Sequence, residues 1–280
     1  MSSPEEACPV VSATELVARL EALREQGPPE ALREQGSPAA LVFDGDGTLW
    51  SGDVGEDLFH FAVRERLLRP EASAGLSALA ERFGVIGGSR APRDADAHEL
   101  AERLYAAYLD ESLPERETCE MMTWCYAGMS VAELDEVVGA ALPEAELDRR
   151  RLPELDAVLE WARARALRCH VVSASPRAAV RHGARLWGFE DAAIVASDPR
   201  IDAGSVAAAL AHPVPYAEEK VRQAHAVLRG ARWLACFGDN VFDLEMLGAA
   251  EQAVAVRPKR RLRERLGDVP GALRLLAASD

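Results

Sequence analysis

The stretch LVFDGDGTLW, residues 41–50, decides the fold, because a short apolar run ends directly in two carboxylates. Residues 41–43 have the length and apolar character of a buried strand, and Asp44 and Asp46 follow at once. In open α/β sheets, ligands bind beyond the carboxyl ends of the strands. The intervening glycines permit close backbone approach and unusual turns. The stretch therefore predicts a sheet strand that carries a site at its end.

Two simpler interpretations of this stretch can be weighed against its spacing. A helix–loop–helix calcium site needs Gly at loop position 6 and Glu at position 12, counted from the first acid. Leu49 and Gly55 stand at those positions, so the spacing excludes that kind of site. A plain turn stays open at this point, because Asp-Gly pairs favour turns.

Further apolar runs of strand length alternate with helical patterns along the chain. The predicted strands lie at 41–43, 169–172, 193–195, 233–237 and 253–256. Helical patterns begin near Pro153, Pro176 and Ala217. This alternation predicts an α/β fold with a doubly wound, mainly parallel, Rossmann-like sheet. Residues 53–150 show helical patterns and no convincing strand, which predicts a helical cap domain inserted after the first strand.

The predicted organisation is an N-terminal helical extension (1–38), an α/β core (39–52 and 151–280) and the cap domain (53–150). In the extension, Ser12 and Glu15 fit a capping box at a helix start. The segment EALREQG occurs at 21–27 and again at 30–36. Two copies do not make a solenoid, so the repeat indicates a local duplication without a chemical role.

Composition restricts the class of protein. The 280 residues include 32 basic and 46 acidic side chains, a net charge of −14, which argues against non-specific binding to nucleic acid or anionic membranes. The longest apolar stretch, 206–211, is far shorter than the roughly 20 residues that span a bilayer. The first residues lack a signal-peptide pattern, and the five cysteines form no C-x-x-C pair. The expected location is the cytoplasm, with reduced thiols.

Three further segments place chemistry-bearing side chains beside strand or helix ends. HVVSAS puts Ser173 at a strand end just before a helix start, a favourable place for an anion. GDNVFDLEML places Asp239 and Asp243 one helical turn apart, so both carboxylates can share a face. Lys220 lies in PYAEEKVRQ at the start of a helix. Each residue alone could be a cap or a solvated side chain, but their order together favours one shared site.

Lysine is rare in this chain. Lys220 and Lys259 are the only two lysines among the 32 basic residues. Lysine and arginine differ in size and geometry, so a lysine in an arginine-rich chain can mark a place where arginine does not serve. Lys220 is a site candidate, whereas Lys259, inside RPKRRLRER, is expected to be an ordinary surface residue.

These segments resemble the motifs of the haloacid dehalogenase superfamily of phosphohydrolases, and most closely those of its phosphoserine-phosphatase-like branch. The resemblance covers about 40–56 and 150–265, with the helical insertion in the matching place. The sequence DGDGT (44–48) is similar to the first family motif, Ser173 to the second, Lys220 to the third, and Asp239 with Asp243 to the fourth. The motifs are specific for the superfamily and weakly specific for substrate.

The resemblance implies roles for the reacting groups. Asp44 is expected to attack phosphorus and form an aspartyl-phosphate, a covalent intermediate. Asp46 is expected to protonate the leaving alcohol and then to deprotonate the attacking water. Ser173 and Lys220 are expected to bind phosphate oxygens.

The resemblance also implies a metal site. Mg²⁺, which prefers oxygen ligands, is expected to bind Asp44, the backbone carbonyl of Asp46, and Asp239. Asp243 is expected to orient the metal ligands or Lys220, and Thr48 to support the loop. A carboxylate attacking a phosphate dianion meets a repulsion of about 4 kcal/mol per pair of unit charges 4 Å apart at a dielectric of 20. Cations placed in advance offset that repulsion.

The predicted function is a Mg²⁺-dependent phosphatase for a small phosphorylated metabolite. A dehalogenase is disfavoured, because a halide leaves without a proton and has no need of an acid at Asp46. Two alternatives stay open: a phosphotransferase or phosphomutase that uses the same intermediate, and a catalytically silent phosphate-binding protein.

The residues expected to contact the part of the substrate beyond the phosphate depart from the phosphoserine phosphatase pattern. Asp53 stands where those enzymes carry a glutamate, and the second motif reads Ser-Ala-Ser-Pro instead of Ser-Gly-Gly. Phosphoserine specificity therefore does not follow. Asp53, Glu56 and Asp57 could meet an amine or choline-like cation, or form a solvated helix start. Arg177 is the other candidate substrate-binding residue, for a phosphate or a carboxylate.

Overall fold

The structure, a computed structural model, describes residues 8–27, 39–86 and 96–278. The first EALREQG copy lies at the end of the first helix and the residues just after it. The second copy, at 30–36, lies outside the described residues.

Seven strands of the described chain form one sheet, and every neighbouring pair is parallel. The strands are β1 (Val10–Val11), β2 (Ala39–Phe43), β3 (Arg168–Pro176), β4 (Ile194–Ser197), β7 (Arg232–Gly238), β8 (Gln252–Val256) and β9 (Leu273–Leu275), while β5 (Pro199–Asp202) and β6 (Ser205–Leu210) form a separate antiparallel hairpin. The order in the sheet is β1-β9-β8-β7-β2-β3-β4. The predicted mainly parallel α/β fold is confirmed.

Helices follow the strands, as the alternation predicts. Outside the insertion they are α1 (Ala13–Glu25), α7 (Asp156–Ala164), α8 (Arg177–Leu186), α9 (Glu218–Leu228), α10 (Leu244–Gly248) and α11 (Arg260–Arg265). Ser12 and Glu15 form the expected capping box at the start of α1, with Glu15 N donating to Ser12 Oγ at 3.2 Å. Among the described helices, none combines the length and apolar character needed to cross a membrane.

Strand β2 is buried on both sides, which explains its continuous apolar sequence. Leu41 and Phe43 belong to the core that contains α1, α7 and α8, whereas Ala40 and Val42 belong to the core beneath α9, α10 and α11. Alternate residues of a strand point to opposite faces, so both sheet faces are covered by helices. The Phe43 ring stacks on Phe237 of β7 at 4.4 Å, directly behind the strand ends.

Residues 54–144 separate β2 from β3 and carry the predicted helical patterns. The insertion helices are α2 (Val54–Arg64), α3 (Pro70–Arg82), α4 (Ala97–Leu109), α5 (Glu115–Trp124) and α6 (Val131–Glu144). The two connections to the sheet run side by side: Trp50 pairs with Arg151, and Ser51 N donates to the carbonyl of Arg150 at 2.8 Å. These contacts hold both ends of the insertion next to the loop that follows β2.

Two features differ from the sequence expectations. Strand β1 lies within the segment predicted as purely helical, so the insertion follows the second strand in chain order. Two apolar residues give too short a pattern to predict that strand. The β5–β6 hairpin also joins the insertion, because Gly128 N donates to the carbonyl of Val206 and Val206 N to that of Met129, both at 2.8 Å.

Candidate active site

Asp44 follows the last residue of β2, at the carboxyl end of the sheet. Its backbone N–H donates to the carbonyl of Phe237 at 2.9 Å, and the residue is 5% exposed. Gly47, in the following loop, has φ +79°, and a Cβ there would lie 2.2 Å from Oδ2 of Asp239. Only glycine fits a backbone that turns so close to a buried carboxylate. The DGDGT loop is therefore held against the end of β7.

Lys220 lies between two carboxylates. Its Nζ donates to Oδ1 of Asp44 and to Oδ1 of Asp243, each at 2.6 Å, and all three side chains are buried. Burial alone would lower the pKa of this lysine, but the two carboxylates raise it above its ordinary value. Lys220 is therefore a fixed positive charge beside the predicted nucleophile.

Asp243 has both carboxylate oxygens engaged. Oδ1 accepts from Lys220, and Oδ2 accepts from the backbone N–H groups of Asp239 at 3.1 Å and Asn240 at 3.0 Å. The side chain is fully buried. Asp243 therefore holds the lysine and the loop after β7 in one arrangement.

Asp46 receives four hydrogen bonds through its two carboxylate oxygens. Oδ1 accepts from Trp50 Nε1 and from Val54 N, both at 2.8 Å. Oδ2 accepts from Ser173 Oγ at 3.2 Å and from Ser175 Oγ at 2.7 Å. The first oxygen is fixed by the loop that leads into α2, and the second by the end of β3. Asp46 therefore connects the two sides of the site.

Burial and repulsion shape the ionisation of the other acids. Burial and the neighbouring Asp243 raise the pKa of Asp44, while Lys220 opposes this shift. Burial, with Asp243, raises the pKa of Asp239 to about 6. Thr48 Oγ1 donates to Oδ2 of Asp44 at 3.3 Å, a weak contact within the loop.

The residues fit a divalent cation that prefers oxygen ligands. Asp44, Asp239 and Asp243 each offer a carboxylate oxygen, and these atoms all lie within 4.8 Å of one another. When ionised, the acids of the cavity carry six negative charges against two positive ones, and a divalent cation would offset half of that excess; the eight residues are Asp44, Asp46, Asp53, Glu115, Asp239, Asp243, Lys220 and Lys259. Both oxygens of Asp243 accept hydrogen bonds of 3.1 Å or less. Oδ2 of Asp44 has only the weak 3.3 Å contact from Thr48, and Asp239 is contacted by the mostly exposed Lys259, so Asp44 and Asp239 are the better ligands.

A cavity of about 70 Å³ joins these groups. Its lining includes Asp44, Asp46, Asp53, Glu115, Cys119, Ser173, Ser175, Tyr216, Lys220, Asp239, Phe242, Asp243 and Lys259. A second cavity, of about 490 Å³, shares Glu115, Tyr216 and Phe242 with the first and extends outward past Tyr108 to Arg261. The two cavities therefore adjoin, and residues of the insertion and of the loops after the strands line both.

The predicted acidic cluster at the insertion divides into two parts. Asp53 caps α2 by accepting from Glu56 N at 2.9 Å, and it also lines the cavity. Burial, with Asp46 next, raises the pKa of Asp53, and burial also raises the pKa of Glu56. Asp57 instead forms an ion pair with Arg150. Asp53 therefore both begins the helix and lines the cavity, whereas Asp57 has a structural role.

Arg177 is not brought to the cavity, contrary to the expectation of a phosphate or carboxylate contact. Its Nε lies 2.8 Å from both carboxylate oxygens of Asp198, and its Nη1 donates to the carbonyl of Ile194 at 2.9 Å. Both partners belong to β4 or follow it. The side chain therefore fastens the start of α8 to the sheet edge.

Sequence reasoning missed several residues of the site. Trp50 is fully buried and also donates to Asp46. Ser175, two residues after Ser173, could have been found, since alternate residues of an extended strand end share a face. Lys259 lies at the surface with its side chain 58% exposed, but its Nζ also lies 3.1 Å from Oδ2 of Asp239, a contact that was not expected. The signal for Lys259 was the scarcity of lysine itself.

Comparison with solved structures gives a consistent fold. A protein of unknown function from Bordetella pertussis Tohama I has 20% sequence identity and a TM-score of 0.65, covering 86% of this chain and 99% of that one. A haloacid dehalogenase family hydrolase from Salmonella enterica serovar Typhi has 15% identity and a TM-score of 0.52, covering 94% and 76%. A probable phosphoserine phosphatase from Vibrio cholerae has 13% identity and a TM-score of 0.50, covering 85% and 61%. These likenesses concern the fold.

No curated protein matches the chain. The family model of the haloacid dehalogenase-like hydrolases matches residues 41–248. The matched region begins in β2, includes the insertion, and ends at the last residue of α10, so it contains the DGDGT loop, Lys220 and the acids after β7. This is the family whose motifs the sequence resembles, and the chain belongs to the haloacid dehalogenase-like hydrolases.

Proposed function

We propose that the protein is a Mg²⁺-dependent phosphomonoesterase that acts on a small phosphorylated metabolite through an aspartyl-phosphate on Asp44. The observation that carries the proposal is the pair of 2.6 Å contacts from Lys220 to Asp44 and Asp243. A buried ammonium beside a buried carboxylate at a strand end lowers the repulsion between that carboxylate and a phosphate. A site built only for structure would gain little from burying these charges.

In the first step, a carboxylate oxygen of Asp44 attacks phosphorus, and the bond between phosphorus and the leaving oxygen breaks. Asp46 gives its proton to the leaving alcohol. In the second step, Asp46 takes a proton from water, whose oxygen attacks phosphorus and releases Asp44 and inorganic phosphate. When bound, Mg²⁺ supplies two positive charges against the phosphate oxygens.

The contacts of Asp46 suit a group that alternates between acid and base. The hydroxyls of Ser173 and Ser175 donate to Oδ2, and a hydroxyl can also turn to accept a hydrogen bond. These serines can therefore accommodate both the carboxylate and the carboxylic acid. The N–H groups of Trp50 and Val54 donate to Oδ1 in both protonation states, so the side chain of Asp46 keeps its orientation during both steps.

For the leaving group, we propose a positively charged amine. Asp53, Glu56 and Glu115 line the cavities on the insertion side, and Tyr108 stands in the wall with them. The Tyr216 ring lies 4.3 Å from that of Phe242 on the opposite wall. Carboxylates attract a cation, and aromatic faces stabilise it by about 0.5–2 kcal/mol. The insertion helices would act as a cap that closes over such a substrate and excludes water.

The nucleophile assignment is tested with an aryl phosphate and a variant that keeps the shape of the side chain. Asp44→Asn should abolish release of inorganic phosphate, while circular dichroism and the unfolding temperature stay close to those of the wild type. Asp202→Asn, an exposed acid on the hairpin, is the matched control and should keep full activity. Substantial turnover by Asp44→Asn would refute the assignment.

The same assay separates the alternatives when a panel of phosphorylated metabolites is measured with Mg²⁺ and with a chelator. Phosphate release that stops with the chelator supports the metal-dependent phosphatase. Transfer of phosphate to an acceptor without release identifies a phosphotransferase or mutase, and absence of both reactions identifies a silent binding protein.

The five cysteines are free thiols, which supports the proposed cytoplasmic location.

A further inference from the structure

Lys259 contacts the carboxylate that the proposed metal site needs. Its Nζ lies 3.1 Å from Oδ2 of Asp239, and its backbone N–H donates to the carbonyl of the same residue at 2.7 Å. The lysine is also the N-cap residue of α11, directly after the turn that leaves β8. Its backbone is therefore fixed beside Asp239, whatever its side chain does.

The two side chains differ strongly in exposure. The side chain of Lys259 is 58% exposed, whereas that of Asp239 is 3% exposed. A long, flexible side chain that is mostly in solvent can leave its partner without moving the backbone. Asp239 cannot leave, because the loop after β7 packs it against Gly47, where a Cβ would lie 2.2 Å from its Oδ2.

Charge makes the two cations compete. A divalent cation bound by Asp239 and an ammonium 3.1 Å from the same carboxylate would repel each other across a few ångströms. The other acids that act on Lys259 are Asp44 in the cavity and Glu115 of α5, and both attract it. Because Asp44 is itself a proposed metal ligand, Glu115 is the carboxylate that the ammonium can approach when it leaves Asp239.

We propose that Lys259 is a positioning residue that competes with the divalent cation for Asp239 and so sets the affinity of the site for Mg²⁺. With the lysine in place, the repulsion among the buried acids is partly neutralised. Binding of the divalent cation then requires the ammonium to move away. This inference rests on the metal site of the proposed function.

The test is calorimetric titration of Mg²⁺ into protein freed of metal with a chelator and desalted. Lys259→Met, which keeps the length of the stem and removes the charge, should lower the Kd for Mg²⁺ about tenfold, since a unit charge a few ångströms from a divalent ion is lost. Lys259→Arg should stay within about twofold of the wild type. The matched control is Arg260→Met, which removes a neighbouring positive charge that is 79% exposed and pairs with Glu264.

A second readout is the unfolding temperature. Lys259→Met should unfold at a lower temperature than the wild type in chelator, and Mg²⁺ should raise its unfolding temperature by a larger amount. A general structural disturbance would instead weaken Mg²⁺ binding, so the Kd would rise and the increase in unfolding temperature with Mg²⁺ would be smaller.

An unchanged or higher Kd in Lys259→Met overturns the inference, and so does an equal gain of affinity in Arg260→Met. Failure of the proposed metal site is recognised separately. If Asp239→Asn leaves Mg²⁺ binding to the protein unaltered, the site itself is wrong, and the inference falls with it.

Discussion

Replacing Lys220 by methionine should destabilise the fold through two acids at once. Methionine fills nearly the same space but removes the ammonium that lies 2.6 Å from Asp44 and 2.6 Å from Asp243. All three side chains are at most 7% exposed, so solvent screens little of the interaction. Removing one partner of a buried ion pair costs about 3–5 kcal/mol, because the other charge stays buried and uncompensated. We expect a loss of stability in that range.

The loss should also depend on pH with a definite sign. The pKa of Lys220 is raised in the folded protein, so its contribution is complete below the ordinary lysine pKa and is lost only in strongly alkaline solution. The pKa of Asp44 is raised by burial even with the lysine present, and it should rise further without it. An acid with a raised folded pKa destabilises the fold increasingly as pH rises above its unfolded value. The deficit of the variant should therefore be larger at pH 8 than at pH 5.

Urea unfolding followed by circular dichroism at the two pH values measures both effects. The matched control is Arg260→Met, which removes a positive charge from an ion pair with Glu264 whose side chains are 79% and 58% exposed. An exposed ion pair contributes about 0–1 kcal/mol, and this control should lose no more than that. A loss below about 1 kcal/mol for Lys220→Met, or a larger loss at pH 5, would refute the view that Lys220 is the counter-ion of buried carboxylates.

Three other outcomes are expected. Asp46→Asn should lower kcat/KM for an alkyl phosphate about 10²–10⁴-fold, as measured by phosphate release. The loss should be much smaller for p-nitrophenyl phosphate, because its leaving group needs no proton. Equal losses for the two substrates would contradict the role of Asp46 as an acid. Because burial and Asp243 raise the pKa of Asp239 to about 6, Mg²⁺ affinity measured by calorimetry should fall as pH drops from 7 to 5, and a constant affinity would contradict its role as a ligand. Ala217 has φ +50° and ψ −123°, a conformation that glycine adopts more readily. Ala217→Gly should stabilise the protein by about 1 kcal/mol and raise its unfolding temperature by about 2–4 °C, and a lower temperature would show that the backbone there is unstrained.

The parallel sheet was predictable from local patterns. Strands such as β2 and β7 are buried on both faces, with continuous apolar runs at 39–43 and 233–237, and each run is bounded by small or polar residues. The positions of the acids were predictable as well, because Asp44 and Asp239 directly follow these strands. Parallel strands end at the same edge, so two such residues that are far apart in sequence are brought together by the fold class alone.

The parts that the sequence did not indicate depend on contacts between distant segments. Arg177 sits at a helix start next to Ser173 and Ser175, where a phosphate ligand would be expected, yet Asp198 at the end of β4 binds its guanidinium. The β5–β6 hairpin alternates too weakly to reveal its partner, and only hydrogen bonds to residues 128 and 129 show that it joins the insertion. Both outcomes follow from side-chain and backbone pairing across the fold, which local periodicity does not encode.

The rarity of lysine in this chain indicates a role for Lys259 that its local sequence does not indicate. Lys220 places one compact ammonium 2.6 Å from two carboxylate oxygens, and a planar guanidinium is too wide to occupy that point between them. Lys259 sits in an arginine-rich helix start that reads as solvated surface, but the turn after β8 brings it to Asp239. In a chain with 32 basic residues, both lysines line the same cavity. The point between two carboxylates that only a compact cation can occupy explains Lys220, and the contact with Asp239 gives Lys259 a place in the same cavity that an origin as a surface accident does not explain.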